Sequence, residues 1–314
     1  MITSLGISLL GLIMLILGGE LVVRGASSLA KTFGISQLVI GLTVVAFGTS
    51  APELGVSLIA SLKGNADIAI ANVVGSNIFN IAFILGACAL VSPLVVHLQL
   101  LKLDIPIFIL ASLITYFMSL DGKISFIEGL LLIGSVFIYT LWLVRASRAE
   151  KDESDSAPEI ETSTFKQRFF HFSSIIGGIL ILVFGSRFLV QGASDLAIRA
   201  GISEAVIGLT LVAAGTSLPE LMSSLMATIR GKTDIAIGNV IGSGIFNLLF
   251  ILGGSSLFTH NGLTVSQAIL KFDFIVMIGL AILSYPLLIT GKKLVRWEGI
   301  ILLMGYIGYC YAIF

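Results

Sequence analysis

The sequence predicts an all-α integral membrane protein whose ten transmembrane helices form two inverted five-helix repeats. Three observations predict it: a chain poor in charge, ten apolar stretches of spanning length, and one polar motif that occurs twice. Of the 314 residues, 56% are hydrophobic and only 11% are charged, against about 25% charged in an ordinary soluble domain. Mean hydropathy is +1.07. So few charges cannot cover a water-soluble surface, which excludes soluble enzymes and nucleic-acid binders. The 18 basic and 18 acidic side chains cancel, so no net charge draws a polyanionic partner. Cys88 and Cys310 each lie in an apolar run and form no spaced framework.

An α-helix needs about 20 apolar residues to cross a bilayer. In chain order the stretches that qualify are 5–23, 36–62, 68–91, 103–120, 124–144, 173–194, 203–229, 235–258, 272–290 and 297–314. The first has no basic flank before it and continues into Glu20 and Arg24, unlike a cleaved leader. The strongly polar stretch 147–168 reads as a flexible cytoplasmic linker between a first half, 1–146, and a second, 169–314. Lysine and arginine collect in cytoplasmic loops. With both termini outside, 13 of them face the cytoplasm, among them Arg24, Arg145, Arg230 and Lys292. Only Lys63, Lys123, Arg199 and Lys271, which is 4, face outward. Both termini are therefore expected to be extracytoplasmic, in a multi-pass protein of the plasma membrane, or of the inner membrane of a bacterium.

Residues 41–81 read GLTVVAFGTSAPELGVSLIASLKGNADIAIANVVGSNIFNI, and residues 208–248 read GLTLVAAGTSLPELMSSLMATIRGKTDIAIGNVIGSGIFNL. At a constant offset of 167, 26 of the 41 positions are identical. Five spans per half is an odd number, so the second copy enters the membrane upside down. Inverted repeats that meet near the midplane are a transporter architecture. Packing glycines alone would survive in any duplicated scaffold, but that does not account for the matching polar residues.

Those polar residues define the candidate site. Glu53 is the only charge between Lys31 and Lys63, and Glu220 the only one between Glu204 and Arg230. A carboxylate at the bilayer centre costs about 2.5–3.5 kcal/mol even on lenient scales, and here two occupy equivalent positions. The helical spacing places Thr49, Glu53 and Ser57 on one face, and Thr216, Glu220 and Ser224 on its counterpart. Asn72, Ser76 and Asn80 form a third polar face, matched by Asn239, Ser243 and Asn247. Pro52 and Pro219 precede the glutamates and free backbone carbonyls around Gly48 and Thr49, and around Gly215 and Thr216. Carboxylates, amides, hydroxyls and loose carbonyls make an all-oxygen ligand set suited to hard cations such as Ca²⁺ or Na⁺. Serine, threonine and asparagine also join helices in membranes, but the duplicated glutamates and their prolines have no packing account.

GTSAPE at 48–53 with GSNIFN at 75–80, and GTSLPE at 215–220 with GSGIFN at 242–247, resemble the two α-repeats of the cation/calcium exchanger superfamily, and most of all its prokaryotic sodium/calcium exchangers. The resemblance covers essentially the whole chain. It implies a secondary active antiporter, not an enzyme, that carries Ca²⁺ and Na⁺ through a lipid bilayer by alternating access. It implies no cofactor, no nucleic acid and no obligatory protein partner. Glu53 and Glu220 would hold Ca²⁺, with Thr49 and Thr216 offering backbone carbonyls to the same ion. Asn80 and Asn247 would be the polar pair of a middle site. Ala46 with Ser76, and Ala213 with Ser243, would contribute to two flanking sodium sites, and Ser50 and Ser217 belong to the same motif. The first and sixth spans would be the sliding element. Two positions depart from the pattern. Archaeal members carry aspartate where this chain has Asn247, and Asn77 is matched by Gly244, which makes the half-sites unequal. The linker is too short for the calcium-sensing domains of animal exchangers.

A proton/calcium antiporter, or one for another divalent cation, is the alternative on the same fold, because intramembrane glutamates also carry protons. Its branch typically shows a GNxxE-type motif, where this chain has GSNIFN and GSGIFN. A hydrolase lacks support: GTSAPE is no serine elbow, and His97, His171 and His260 sit at span edges with no HExxH. Among the other polar residues, Glu20 and Arg24 are spaced to pair, and Asp67 and Asp234 to cap the spans they begin. Trp142, Trp297, Tyr139 and Tyr306 are expected at the membrane interfaces.

Overall fold

The computed structural model describes residues 2–152, 164–201, 213–259 and 262–313. Residues 153–163 of the expected linker, the first residues of the expected seventh span and second repeat, and His260 lie outside the described residues. The first half contains α1 (Ile2–Phe33), α2 (Gln37–Thr49), α3 (Ala51–Leu62), α4 (Ala66–Val91), α5 (Leu100–Asp121) and α6 (Phe126–Asp152). The second contains α7 (Phe165–Arg199), α8 (Ala213–Gly215), α9 (Leu218–Ile229), α10 (Thr233–Leu257), α11 (Ile269–Lys292) and α12 (Arg296–Ile313). Helix therefore enters the expected linker from both ends.

Among the described residues, 7 helices are long and apolar enough to cross a membrane, or 8 if α2 and α3 are one span bent by 46°. Two of the ten expected stretches fall short for identifiable reasons. α12 carries Arg296, Trp297 and Glu298 within its 18 residues, and α9 is the described end of a stretch that starts outside the described set.

Local sequence sets the helix ends. Thr164 and Gln167 form a capping box at the start of α7. Ser125 and Glu128 do the same for α6, with Ser125 N–H donating to Glu128 Oε2 at 2.8 Å and Glu128 N–H to Ser125 Oγ at 3.3 Å. α3 and α9 close alike. Gly64 (φ +77) and Gly231 (φ +69) take the left-handed conformation, and the next amide reaches back to Ala60 at 2.8 Å or Ala227 at 2.7 Å.

α4 and α10 form the centre of the molecule. Over their spanning windows 78% and 94% of residues are buried, against 28–39% for α1, α5, α6, α7 and α11. The outer helices therefore keep one apolar face for lipid, while the polar side chains Ser76, Asn77 and Asn80 of α4 and Asn239, Ser243 and Asn247 of α10 are buried in protein.

α1 and α7 run antiparallel with their backbones nearly touching. Small residues recur every seven positions on both, Ser4, Gly11 and Gly18 opposite Gly192, Gly185 and Gly178, with Gly25 next on α1 against the His171 backbone. A Cβ on Gly18 would sit 2.8 Å from the Gly178 carbonyl, and one on Gly178 2.9 Å from the Gly18 carbonyl. Small residues of this kind let membrane helices approach closely.

Four two-residue strands complete the fold. β1 (Leu94–Val95) pairs antiparallel with β4 (Lys293–Leu294), and β2 (Lys123–Ile124) with β3 (Leu263–Thr264). Each pair joins one half to the other, and β1 and β2 lie at opposite ends of α5.

Some polar residues take roles other than those expected. Asp67 and Asp234 do not cap their own helices. The Asp67 carboxylate instead accepts the Ser266 N–H at 3.2 Å, and Asp234 lies 3.3 Å from His97 Nε2, so each ties its half to a loop of the other. Glu20 holds Arg24, as its spacing predicts, and also Arg230 at 2.8 Å. Tyr139 is not an interface residue: it is buried and donates to Asp104 at 2.9 Å. Tyr309 and Asp273 repeat the pair at 2.8 Å. Tyr139→Phe strips a fully buried carboxylate of this donor at a cost of about 1–3 kcal/mol. It should lower the unfolding midpoint in detergent by roughly 2–6 °C, and by more than Tyr309→Phe, because Asp273 is only half-buried.

Candidate ion-binding site

Two breaks in the helices create the site. Ser50 (φ −79, ψ 8) separates α2 from α3, and Ser217 (φ −91, ψ 6) separates α8 from α9. Pro52 and Pro219 each fall in the first turn of the new helix, where a missing N–H is no loss. The carbonyl freed at Gly215 accepts the Ser186 hydroxyl. Glu53 and Glu220 follow directly and are 1% and 0% exposed.

The two halves bind each other crosswise. Ser50 of the first donates to Glu220 Oε1 of the second at 2.9 Å. Ser217 of the second donates to Glu53 Oε1 of the first at 2.8 Å. Ser76 Oγ lies 3.5 Å from Glu53 Oε1 and 3.1 Å from Ser217 Oγ. Behind this ring, Asn72 donates to the Glu53 carbonyl at 3.1 Å and to Ser57 at 2.9 Å. Its counterpart Asn239 donates to the Glu220 carbonyl at 3.3 Å and to Ser223 and Ser224 at 2.9 Å. Thr49 donates to Asn239 Oδ1 at 3.1 Å, and Thr216 Oγ1 lies 3.5 Å from Asn72 Oδ1. Ser243 Oγ is 3.5 Å from the Ala46 carbonyl. Ala213 begins α8, and its side chain lies outside the described set.

Asn80 and Asn247 lie at matched positions where α4 and α10 widen into π turns, Phe79–Leu85 and Asn247–Leu252. Such turns are frequent at functional sites. Among the described residues, 9 buried side-chain polar atoms have no hydrogen-bond partner, and 5 of them belong to four residues of this site. They are Glu53 Oε2, Glu220 Oε2, both amide atoms of Asn80, and Asn247 Oδ1. A buried polar atom without a partner costs about 1–3 kcal/mol, and more when charged. Each carboxylate thus spends one oxygen on the opposite half and leaves the other without a partner.

The chemistry of any ligand here follows from the donors. Among the described residues no three His, Cys, Asp or Glu side chains gather into a cluster. Two carboxylates, two amides and several hydroxyls make a hard, oxygen-rich environment. Hydrogen bonds thus involve Ala46, Thr49, Ser50, Glu53, Ser76, Thr216, Ser217, Glu220 and Ser243 in contacts within and across the halves, and Asn80 and Asn247 stand one helical turn beyond Ser76 and Ser243 on α4 and α10. Asn72 and Asn239, read from the sequence as members of the matched polar faces, hold the glutamate backbone.

Known proteins resemble this chain over most of its length. A family model described as sodium/calcium exchanger protein matches residues 3–145 and 170–314. A protein of Methanosarcina acetivorans named sodium/calcium exchanger MaX1 is 34% identical over 352 residues, covering 98% of this chain and 97% of that protein. The inner membrane protein YrbG of Escherichia coli is 37% identical over 265 residues, 82% of this chain and 81% of its own. The solved structure of the sodium-calcium exchanger NCX_Mj, soaked with zero Na⁺ and Ca²⁺, superposes with a TM-score of 0.86. It is 35% identical and covers 100% of this chain and 99% of that one.

Proposed function

The chain belongs to the sodium/calcium exchanger family, and from that premise we propose that it is a secondary active antiporter exchanging Ca²⁺ for Na⁺ by alternating access. The observation that carries the reading is the crossed pair of buried glutamates, each with one oxygen held by the opposite half and one without a partner. Glu53 and Glu220 are the primary cation ligands. Ala46, Thr49, Ser50, Ser76, Asn80, Ala213, Thr216, Ser217, Ser243 and Asn247 complete overlapping sites for the two ions.

Electrostatics gives exchange its obligatory character. Two ionised glutamates leave an empty site doubly negative in a low dielectric, a state that resists crossing. Ca²⁺ neutralises it, and Na⁺ ions offset the same charge in turn, so both loaded forms can cross. The full proposal is ten crossings in two inverted halves with both termini extracytoplasmic. The matched π turns, crossed serines and reciprocal strand pairs support it, as does the placing of Arg24, Arg230, Lys232 and Lys292 toward one face. The chain takes Na⁺ and Ca²⁺ as cargo, with no cofactor and no obligatory protein partner.

The test is ⁴⁵Ca²⁺ uptake into proteoliposomes under an outward Na⁺ gradient, an outward H⁺ gradient, or none. Uptake driven by Na⁺ alone is the expected result, and uptake driven by H⁺ alone would overturn the coupling ion. Asn247→Asp adds a third carboxylate without removing an oxygen ligand. It should keep Ca²⁺ transport while shifting its Na⁺ or pH dependence by roughly threefold or more; unchanged dependence would make that position purely structural.

A further inference from the structure

Asn247 and Asn80 occupy equivalent positions, yet their amides are held differently. Asn247 is fully buried, and its Nδ2 donates to Asn77 Oδ1 at 3.0 Å, while its own Oδ1 has no partner. Asn77, also fully buried, donates its Nδ2 to the Gly244 carbonyl at 3.3 Å, and Met277 Sδ lies 3.6 Å from the same nitrogen. A backbone carbonyl can only accept, so it fixes which end of the Asn77 amide faces it. The oxygen of Asn77 must then face Asn247, which must present its NH₂ there and turn its oxygen away.

The residue that would do the same for Asn80 is Gly244, which has no side chain. A Cβ there would meet Phe108 Cε2 at 2.6 Å, so the position cannot hold an asparagine without repacking. Both amide atoms of Asn80 are accordingly without a partner.

We propose that Asn77 is a positioning residue that locks Asn247 as a carbonyl-oxygen ligand of the transported cation, while Asn80 can present either end of its amide. This rests on the reading of the region as a cation-exchange site. A cation is bound by the amide oxygen and repelled by the NH₂ end, so a locked Asn247 contributes to affinity in every cycle, whereas an unlocked one is oriented correctly only part of the time. The sequence difference between GSNIFN and GSGIFN is, on this view, the source of the inequality between the two half-sites.

The test uses the full chain in proteoliposomes and reads the half-saturating concentrations of Ca²⁺ and Na⁺. Asn77→Leu removes both hydrogen bonds at similar volume, and Asn77→Ala does so without added bulk should leucine fail to pack. Each is made in the natural background and in Asn247→Asp, whose carboxylate presents an oxygen either way round and needs no orientation. The expected result is a rise of roughly five- to tenfold in at least one half-saturating concentration in the natural background, tenfold being 1.4 kcal/mol, and less than twofold in Asn247→Asp. Shifts of equal size in both backgrounds would mean a purely structural role and overturn the proposal, as would no shift in the natural one. If the unaltered chain shows no Na⁺-driven Ca²⁺ uptake, or if Glu53→Gln leaves uptake intact, the exchange reading itself fails and takes the proposal with it.

Discussion

Glu53→Gln and Glu220→Gln should each yield a protein that inserts and folds but whose Na⁺-driven ⁴⁵Ca²⁺ uptake falls to background. Glutamine has nearly the shape of glutamate and keeps a carbonyl oxygen for the crossing serine, Ser217 for Glu53 or Ser50 for Glu220. The scaffold contacts therefore survive. The oxygen that had no partner becomes an NH₂ aimed at the cation, and one unit of negative charge is gone. At 4 Å and an effective dielectric near 20, a pair of unit charges interacts by about 4 kcal/mol, and a divalent ion by about twice that. Even half the larger figure is on the order of a thousandfold in affinity. Ser50→Ala and Ser217→Ala remove one neutral donor each and should cost far less. Robust uptake by either glutamine variant would place the ion elsewhere.

Gly178→Leu should disable the protein as thoroughly, by a different route. The three atoms nearest a Cβ at that position all belong to α1: Val22 Cγ2 at 2.8 Å, with the Gly18 carbonyl and Val22 N at 2.9 Å. Backbone cannot rotate aside as a side chain can, so the two helices must separate along their whole contact. Overpacking of this kind costs about 1–3 kcal/mol or more. The neighbouring Gly177 has nothing within 4 Å, and Gly177→Leu should be tolerated. The comparison reads monodispersity in detergent and transport for both variants. A loss of at least roughly tenfold is expected at 178 and less than twofold at 177; equal behaviour would mean that α1 and α7 are not in backbone contact in the working protein.

The site was more legible in the sequence than the way it is assembled. The glutamates, prolines, asparagines and serines announced themselves by duplication, and a buried charge in an apolar run has few readings. Helical spacing describes the face a residue occupies but not the helix opposite, so it put Thr49, Glu53 and Ser57 on one stripe. It could not show that Ser50 reaches Glu220 across the molecule, or that Thr49 binds Asn239. The π turns leave no periodic trace, and Asn77 looked like a mismatch in the repeat until its amide was seen to bridge to Asn247. The seven-residue recurrence from Ser4 to Gly25 and from Gly178 to Gly192 was readable at the same 167-residue offset, outside the strongly matching segment. Asp67 and Asp234 were misread because a carboxylate at a helix start fits a cap equally well, and only the third dimension shows a loop of the other half within reach.

The two strand pairs constrain how the molecule can move. β1–β4 and β2–β3 stitch half to half at opposite ends of α5, so the halves are riveted at both faces. A body riveted at two ends cannot rock about its middle like a pair of jaws, and the centre built from α4 and α10 must act as a fixed frame. On the proposed alternating access, the movement that exposes the unpartnered glutamate oxygens first to one face and then to the other falls to elements outside the rivets. α1 and α7 meet that description: they pair chiefly with each other, along two smooth, nearly side-chain-free tracks. The stiffness of those four short strands would then be what leaves the shuttling to α1 and α7, which neither rivet joins.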